Sequence, residues 1–398
     1  MDVERFRRSP VGHLVPLAGT DGRTGERYDH FGFVPDPLGD PPSLSGGTWT
    51  VVSRANRSLG ALEQGASLIP NPGILRQPTL RREAQSTSAL EGTFAPLDDV
   101  LAAEAVGSGE RSAALAEVLN YIESAEMGFT WVHDRPVTTG LLEELQSVLV
   151  RGTRADTAQA GRVRSIPVAI GSHGGAIEDA RFVPMPPGVP LRSAVDDLLR
   201  WVADADEMRV DPVVAAAMAH YQFETLHPFN DGNGRLGRLL IVLQFMRSRV
   251  LSEPLLSVSP WFEARRERYQ DALAAVSADG DWDSWVALFA EGIHRSAVDT
   301  GERLTALLAV QSSYRDRIRD SGLRGMVVDV VDSLIGSPFV TIPMVARATG
   351  KTYQAASSAV QRLQDVGILD EVERQGVRMF RATDVVRVTT RPVRRSAP

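Results

Sequence analysis

The residues Asn230-Asp231-Gly232-Asn233-Gly234 constrain the fold of this chain more than any others, because they interrupt two apolar helical patterns. Upstream, PVVAAAMAHYQFETL reads as a helix over 211–226, and downstream the pattern predicts a helix over about 234–250. None of the five residues between continues a helix comfortably, so the chain must turn there and present successive backbone N–H groups. The densest apolar run, Leu239 to Met246, is bracketed by Arg238 and Arg247 and falls short of the ~18–20 residues of a membrane span, so a buried helix is expected. Arg235 and Arg238 stand at the start of this helix, where the positive end of the macrodipole disfavours cations. An anion bound at that point would resolve the conflict.

The chain has 398 residues, more than one core usually holds, which predicts two or three domains. With 43% apolar and 23% charged residues it has the composition of a soluble globular protein. Its N-terminus lacks an apolar signal region, and it contains no cysteine, which excludes disulfides, thiol catalysis and Cys-ligated zinc. These features fit a cytoplasmic protein. Lys351 is the only lysine, so lysine Schiff-base chemistry is absent from almost everywhere. A formal net charge of −7 argues against nucleic-acid binding along the whole length.

The first 75 or so residues, rich in Pro, Gly and Ser, are expected to form an irregular arm or small satellite layer. Helical patterns follow at 81–90, ending at Glu91-Gly92, and over 98–127 as one or two helices. A further one runs from Thr139, read as an N-cap, through LLEELQSVLV. VRSIPVAIG (163–171), a Gly-rich turn (171–175) and RFVPMPPGVP (181–190) read as a hairpin, whose prolines would prevent pairing along the whole second arm and leave an edge open to a guest strand. Helices are expected at 191–206, 261–277 and 283–320. In the last 75 residues a helix, a helix-turn-helix pattern about Gly350-Lys351 and two strands around Gln375-Gly376 follow the winged-helix order.

The chemistry suggested by the turn is phosphoryl or nucleotidyl transfer. Backbone N–H groups at a helix N-terminus form an anion cradle, and two arginines three residues apart reach the same anion. Asp231 offers one carboxylate to Mg²⁺ alongside phosphate oxygens. His227, at the end of the preceding helix, can accept a proton from an incoming hydroxyl. Taken singly each residue has an ordinary explanation: Asn233-Gly234 is a common hairpin turn, and a lone histidine is usually structural. A zinc site from His220, His227 and Asp231 is disfavoured by the seven-residue histidine spacing and the missing third imidazole.

HPFNDGNGRLGR resembles the Fic signature HPFx[D/E]GNGRxxR at every specified position: His227, Pro228, Phe229, Asp231, Gly232, Asn233, Gly234, Arg235 and Arg238. AHYQFETL, the expected hairpin and the helical order extend the resemblance over about residues 75–300. It implies a mainly α fold: a Fic-type helical core with one β-hairpin flap, plus the C-terminal winged helix-turn-helix domain. The expected boundaries are an N-terminal region with an inhibitory helix over 1–105, a catalytic core over 106–300, a linker helix over 301–320 and the winged domain over 321–398. The implied activity is Mg²⁺-dependent transfer of AMP from ATP to a Ser, Thr or Tyr hydroxyl of a target protein and of the chain itself. By position His227 would be the general base, Asp231 the metal ligand, Gly232, Asn233 and Gly234 the α-phosphate cradle, Arg235 a phosphate ligand and Arg238 the γ-phosphate ligand. Transfer of phosphocholine or UMP also occurs on this fold.

TSALEG (87–92) resembles the family's inhibitory motif [S/T]xxxE[G/N] through Thr87, Glu91 and Gly92. The resemblance implies that Glu91 pairs with Arg238 and takes the place of the γ-phosphate, an autoinhibited state; removal of AMP by the same site is a further implied activity. The segment 163–190 resembles the flap that clamps a target by strand addition. Residues 321–398 hold 11 Arg and Lys against 7 Asp and Glu, with Arg381, Arg387, Arg391, Arg394 and Arg395 near the end. The helix carrying Gln354, Ser357, Gln361 and Arg362 could enter a DNA groove or dock a protein. The second functional class left open is therefore a transcription regulator whose core only senses nucleotide, and a homodimer is likewise left open.

Overall fold

The computed structural model describes residues 1–20, 25, 27–67, 73–107, 111–132, 134–171, 177–205, 207–374 and 376–392. Most of the expected Gly-rich turn at 171–175, together with Gln375, Arg394 and Arg395, lies outside the described residues. The chain divides into two compact units. One comprises Met1–Leu59, Glu123–Ser252 and Phe262–Arg295, the other Gly60–Ile122, Glu253–Trp261 and Ser296–Pro398. Among the described residues no helix is long and apolar enough to cross a membrane.

The first unit is built on the two helices predicted around the turn, Pro212–Leu226 and Asn233–Arg247. Nearly every residue of both is buried, which is why neither shows the one-sided pattern of a surface helix. They approach closely at Gly237, where an added Cβ would lie 2.5 Å from Glu224 Oε1 and 3.1 Å from the Phe223 ring. Asp211 caps the first helix through Val213 N (2.9 Å), and Pro212 follows at its first position, where the missing N–H costs nothing. Trp285, fully buried, donates from Nε1 to Ala217 O (2.9 Å) and so ties the start of helix Trp282–Asp320 to the same core.

Helices Thr139–Val150 and Val189–Asp204 complete the expected set around this pair. The N-cap of the former is Thr138, one residue earlier than predicted, its hydroxyl accepting from Leu141 N at 3.2 Å. Thr139 instead points its hydroxyl at Asp196.

Two expectations fail in this unit. The N-terminal segment is not irregular: Gly12–Thr20 and Arg27–Pro35 form an antiparallel ladder in register Gly12↔Pro35 to Thr20↔Arg27, and Gly46–Ser67 is a helix of 22 residues. Trp49 to Val52 lie in its first two turns. Conversely, 163–190 is not a regular hairpin among its described residues. Its arms bridge at Ile170↔Phe182, and Phe33 of the N-terminal ladder bridges to Pro184, donating its N–H to Val183 O at 2.9 Å. Pro184, Pro186, Pro187 and Pro190 lack the donors a second ladder needs. The Phe33 ring, fully buried, sits 5.5 Å from Phe6 and 6.0 Å from Phe182, so the ladder serves as a wall for the flap segment.

In the second unit helix Gly73–Leu90 carries three consecutive buried charges, each with a different partner. Arg81 pairs with Glu104 (2.6 Å) and donates to Gly336 O. Arg82 pairs with Asp299 (2.8 Å), which also binds Arg303 (2.9 Å). Glu83 accepts from Ser257 Oγ and Ser259 N, both at 2.9 Å. Burial, and then the neighbouring Arg303 charge, push the Arg82 pKa down to about 10 despite Asp299.

Helix Leu97–Val106 shares a core with the C-terminal elements, where Leu101, Ala102 and Ala105 meet Phe339, Met379 and Val386. Those elements run Met326–Ser333, strand Phe339–Val340, Ile342–Thr349, Tyr353–Asp365 and strands Asp370–Arg374 and Val377–Arg381, the last strand lying centrally. Helix Thr383–Thr390, which no sequence pattern announced, follows as the last described element.

Phe33→Ala should cost about 3–5 kcal/mol in urea unfolding, as for other buried aromatic deletions. A change below 1 kcal/mol would show that the N-terminal ladder is an accessory rather than part of the core.

Candidate active site

His227 ends helix Pro212–Leu226 in the left-handed region, with φ 48° and ψ 60°, a conformation that non-glycine residues rarely adopt. Six residues later Asn233 opens the next helix, with Gly232 at the N-cap at φ 86°. The turn between is closed by one side chain. Asn233 Oδ1 accepts from Phe229 N (2.8 Å) and its Nδ2 donates to Phe229 O (2.7 Å), so a fully buried phenylalanine and the helix start are held as one piece. The amide of Asn233 thereby holds the turn, and its backbone N–H stands at the helix start. Gly232 rests on Leu149, where an added Cβ would fall 2.7 Å from Cδ2. Gln146, also buried, donates to Asp231 O at 3.1 Å.

The first N–H groups of helix Asn233–Arg247 have no intrahelical acceptor and carry its positive dipole end. The Asp231 carboxylate meets Arg235 NH2 at 2.8 Å, with Asp231 37% exposed and Arg235 3%. The expected metal ligand and the expected phosphate ligand are thus neighbours that bind each other. Arg238, one turn further on, is buried as well. His227 is half-buried, and its Nδ1 lies 3.3 Å from Glu224 O, which would leave Nε2 as the proton-accepting nitrogen if Nδ1 carries the hydrogen.

His220 is no part of this constellation. Fully buried, it places Nε2 2.7 Å from Tyr269 Oη and Nδ1 3.1 Å from Gly237 O. Burial, with the Arg238 charge adding to it, depresses its pKa to about 3, against a hydrogen bond to Gly237 O that favours the proton. Its ring is spent on packing the two helices together. Among the described residues no group of three or more His, Asp or Glu side chains converges on a metal position.

Thr87, Glu91 and Gly92 belong to the other unit. Thr87 is buried, the helix ends at Leu90, and Gly92 takes φ 91° with its N–H on Ala89 O, as expected of a C-terminal cap. Glu91, exposed, follows the last helical residue directly.

Sequence reasoning missed one residue of the site altogether. Arg164, 1% exposed, sits on the first arm of the flap segment and donates Nε to His227 O at 2.8 Å, and its own N–H to Pro228 O at 2.8 Å. Its partners are main-chain carbonyls, which leave no mark in a sequence.

Residues 49–130 match the Fic/DOC family N-terminal region and residues 136–245 match the Fic/DOC family. The chain carries a Fic domain. Its relatives include Protein adenylyltransferase fic-1 of Caenorhabditis elegans, 37% identical over 116 residues, which are 29% of this chain and 20% of that protein. Protein adenylyltransferase Fic of Aedes aegypti is 31% identical over 141 residues, 35% of this chain and 25% of that one. The matches to these curated relatives therefore span a quarter of their length or less. A crystal structure of a Fic family protein from Desulfovibrio desulfuricans covers 87% of this chain and 98% of its own, with a TM-score of 0.54 and 21% identity, so the Fic fold is shared. The signature turn lies inside the matched Fic domain, and TSALEG inside the matched N-terminal region.

Two outcomes test the site's construction. Gly232→Ala, strained both by its φ and by Leu149, should lose about 1–3 kcal/mol of stability, read by thermal unfolding. His220 gives a pH signature. The unfolded imidazole binds its proton near 6.5 and the folded one only near 3, so the unfolded state holds more protons in between. Stability is therefore full above about 6.5 and falls as pH drops. His220→Gln should flatten this slope between pH 6.5 and 4.5 by up to about 1.4 kcal/mol per pH unit; equal slopes in both proteins would contradict a neutral buried His220.

Proposed function

We propose that the chain transfers AMP from ATP to a Ser, Thr or Tyr hydroxyl of a target protein and of itself. The observation that carries this reading is the stapled turn, which sets an imidazole at one helix end beside the unsatisfied N–H groups of the next helix start, with Arg235 and Arg238 on that helix. His227 takes the proton of the incoming hydroxyl, whose oxygen bonds to the α-phosphorus as the bond to the bridging oxygen breaks and pyrophosphate leaves. Gly232, Asn233 and Gly234 cradle the α-phosphate through main-chain N–H groups, and Arg235 and Arg238 hold the outer phosphates. The names of its relatives, protein adenylyltransferase, support AMP as the group moved.

The donor set fits Mg²⁺, which keeps most of its waters and takes one or two carboxylates beside phosphate oxygens. Asp231, partly exposed and bonded to Arg235 through one oxygen, would hold it. A bound Mg²⁺ would neutralise phosphate charge. Arg235, when it turns to phosphate, frees the carboxylate that it now covers.

Inhibition is part of the proposal. Glu91, at the end of a helix anchored by three buried charges, is read as the residue that pairs with Arg238 and excludes the γ-phosphate. Removal of AMP by the same site stays within this reading. The flap over 163–190 is read as the target clamp, with Ser165 and Ile166 on its exposed face.

The proposed domain limits follow the same logic, with the winged helix-turn-helix over 321–398. For that domain a protein-docking role is favoured over DNA. Arg374 binds Asp98 and Asp99, Arg378 binds Glu371, Arg387 binds Asp384 and Arg391 binds Glu302, so much of its positive charge is already matched.

Intact mass spectrometry of Glu91→Gly after incubation with separate nucleotides and Mg²⁺ tests both claims. The expected result is an added AMP mass that wild type gains at least about 10-fold more slowly, the scale of a lost charge-assisted pair. The added mass should vanish in Glu91→Gly/His227→Ala. Equal incorporation by wild type and Glu91→Gly would remove the inhibitory reading, and no incorporation from any nucleotide would remove the transferase reading.

A further inference from the structure

The guanidinium of Arg164 collects main-chain carbonyls from three segments of the first unit. Nε binds His227 O (2.8 Å), NH1 binds Ile166 O (3.2 Å), and NH2 binds Met185 O (2.6 Å) and Leu226 O (3.4 Å). Its own N–H binds Pro228 O (2.8 Å). Among the described residues no carboxylate pairs with it, and burial alone pushes its pKa down to about 10. A buried charge without a counterion is costly, so its surroundings must compensate. They do so through dipoles: Leu226 and His227 supply carbonyls at the C-terminal end of helix Pro212–Leu226, where the macrodipole is negative and a cation is favoured.

Three consequences meet at this residue. Holding His227 O and Leu226 O fixes the backbone of His227 in its left-handed conformation, which would otherwise relax. Holding Ile166 O and Met185 O joins the two arms of the flap segment, whose described residues otherwise pair at the Ile170↔Phe182 bridge. The planar fork does both at once, so the flap and the histidine share one rigid origin.

The geometry points to Arg164 as a positioning residue for the transfer, one that sets the distance between the His227 imidazole and a hydroxyl on a segment clamped by the flap. It touches neither nucleotide nor target and acts through main-chain carbonyls. Proton transfer in such a site depends on alignment, and a displacement of about 1 Å can lower a rate about 10²-fold. Nucleotide binding relies on the far end of the turn, on Gly232 to Arg238, and is not held by Arg164. This inference rests on the proposed AMP transfer.

The test uses the full chain with Glu91→Gly as the active background. Arg164→Lys keeps the charge and can reach some of the carbonyls, so it guards against a failure to fold; Arg164→Met removes the charge. Self-labelling is followed with ATP labelled at the α-phosphate, giving the rate at saturation and the ATP concentration for half-saturation, and thermal unfolding is followed in parallel.

Glu91→Gly/Arg164→Lys should lose about 10²-fold in saturated rate, with half-saturation within about twofold of its parent and a folded state at assay temperature. An unchanged rate would overturn the inference, as would a loss explained by weaker ATP binding or by unfolding. A second readout is independent of turnover. With ¹⁵N-labelled histidine, the ring resonances of residue 227, assigned by their loss in His227→Ala, should shift in Arg164→Lys, while those of His220 stay in place. Unmoved His227 resonances would sink the inference. If Glu91→Gly labels with no nucleotide, the transferase reading fails by itself, and the ring resonances still decide whether Arg164 positions His227.

Discussion

Two hydrogen bonds between the amide of Asn233 and the backbone of Phe229 govern the rest of the site. They give a five-residue turn a single shape, and that shape makes one helix finish and the next begin in the same place. Helix ends are where backbone groups lack partners, carbonyls at one and N–H groups at the other. Bringing both together in a buried setting creates a local demand for a cation and for an anion. Arg164 answers the first at the carbonyl end, and the N–H groups beside Arg235 and Arg238 await the second. A shorter or unstapled turn would let water satisfy these groups.

Much of this was legible in the residues. Asn, Asp and Gly between two apolar runs announce a turn whatever the tertiary context, and the predicted helices appear at Pro212–Leu226 and Asn233–Arg247. Gly92 as a helix stop was legible for the same reason, since a positive φ is a local requirement. The Asp231–Arg235 pair was not foreseen, although four residues on a helix start place such groups within reach.

What escaped detection depends on distant partners. The strands Gly12–Thr20 and Arg27–Pro35 contain three glycines and two prolines, and the wall made by Phe6, Phe33 and Phe182 shows why they pair. The flap segment looked like a hairpin because its first arm is β-branched, yet its second arm lends a carbonyl to Phe33. Three adjacent charges, Arg81, Arg82 and Glu83, carry no sign in the sequence of where they go, and each is buried against a partner between 23 and 255 residues away. Buried pairs of this kind add little net stability but penalise any register in which a partner is lost. Here they fix the rotation of the helix that leads into Glu91.

Leu101, Ala102 and Ala105, from the first third of the sequence, are covered by Phe339, Met379 and Val386 from its last sixth. The apolar stripe they form is complete only when Phe339, Met379 and Val386 have been synthesised. During translation that stripe must wait, exposed to water or to a chaperone, while more than two hundred intervening residues emerge. A protein truncated before Phe339 would thus carry a permanently sticky surface, and nonsense mutations upstream of it should be read as folding lesions before they are read as losses of a binding module.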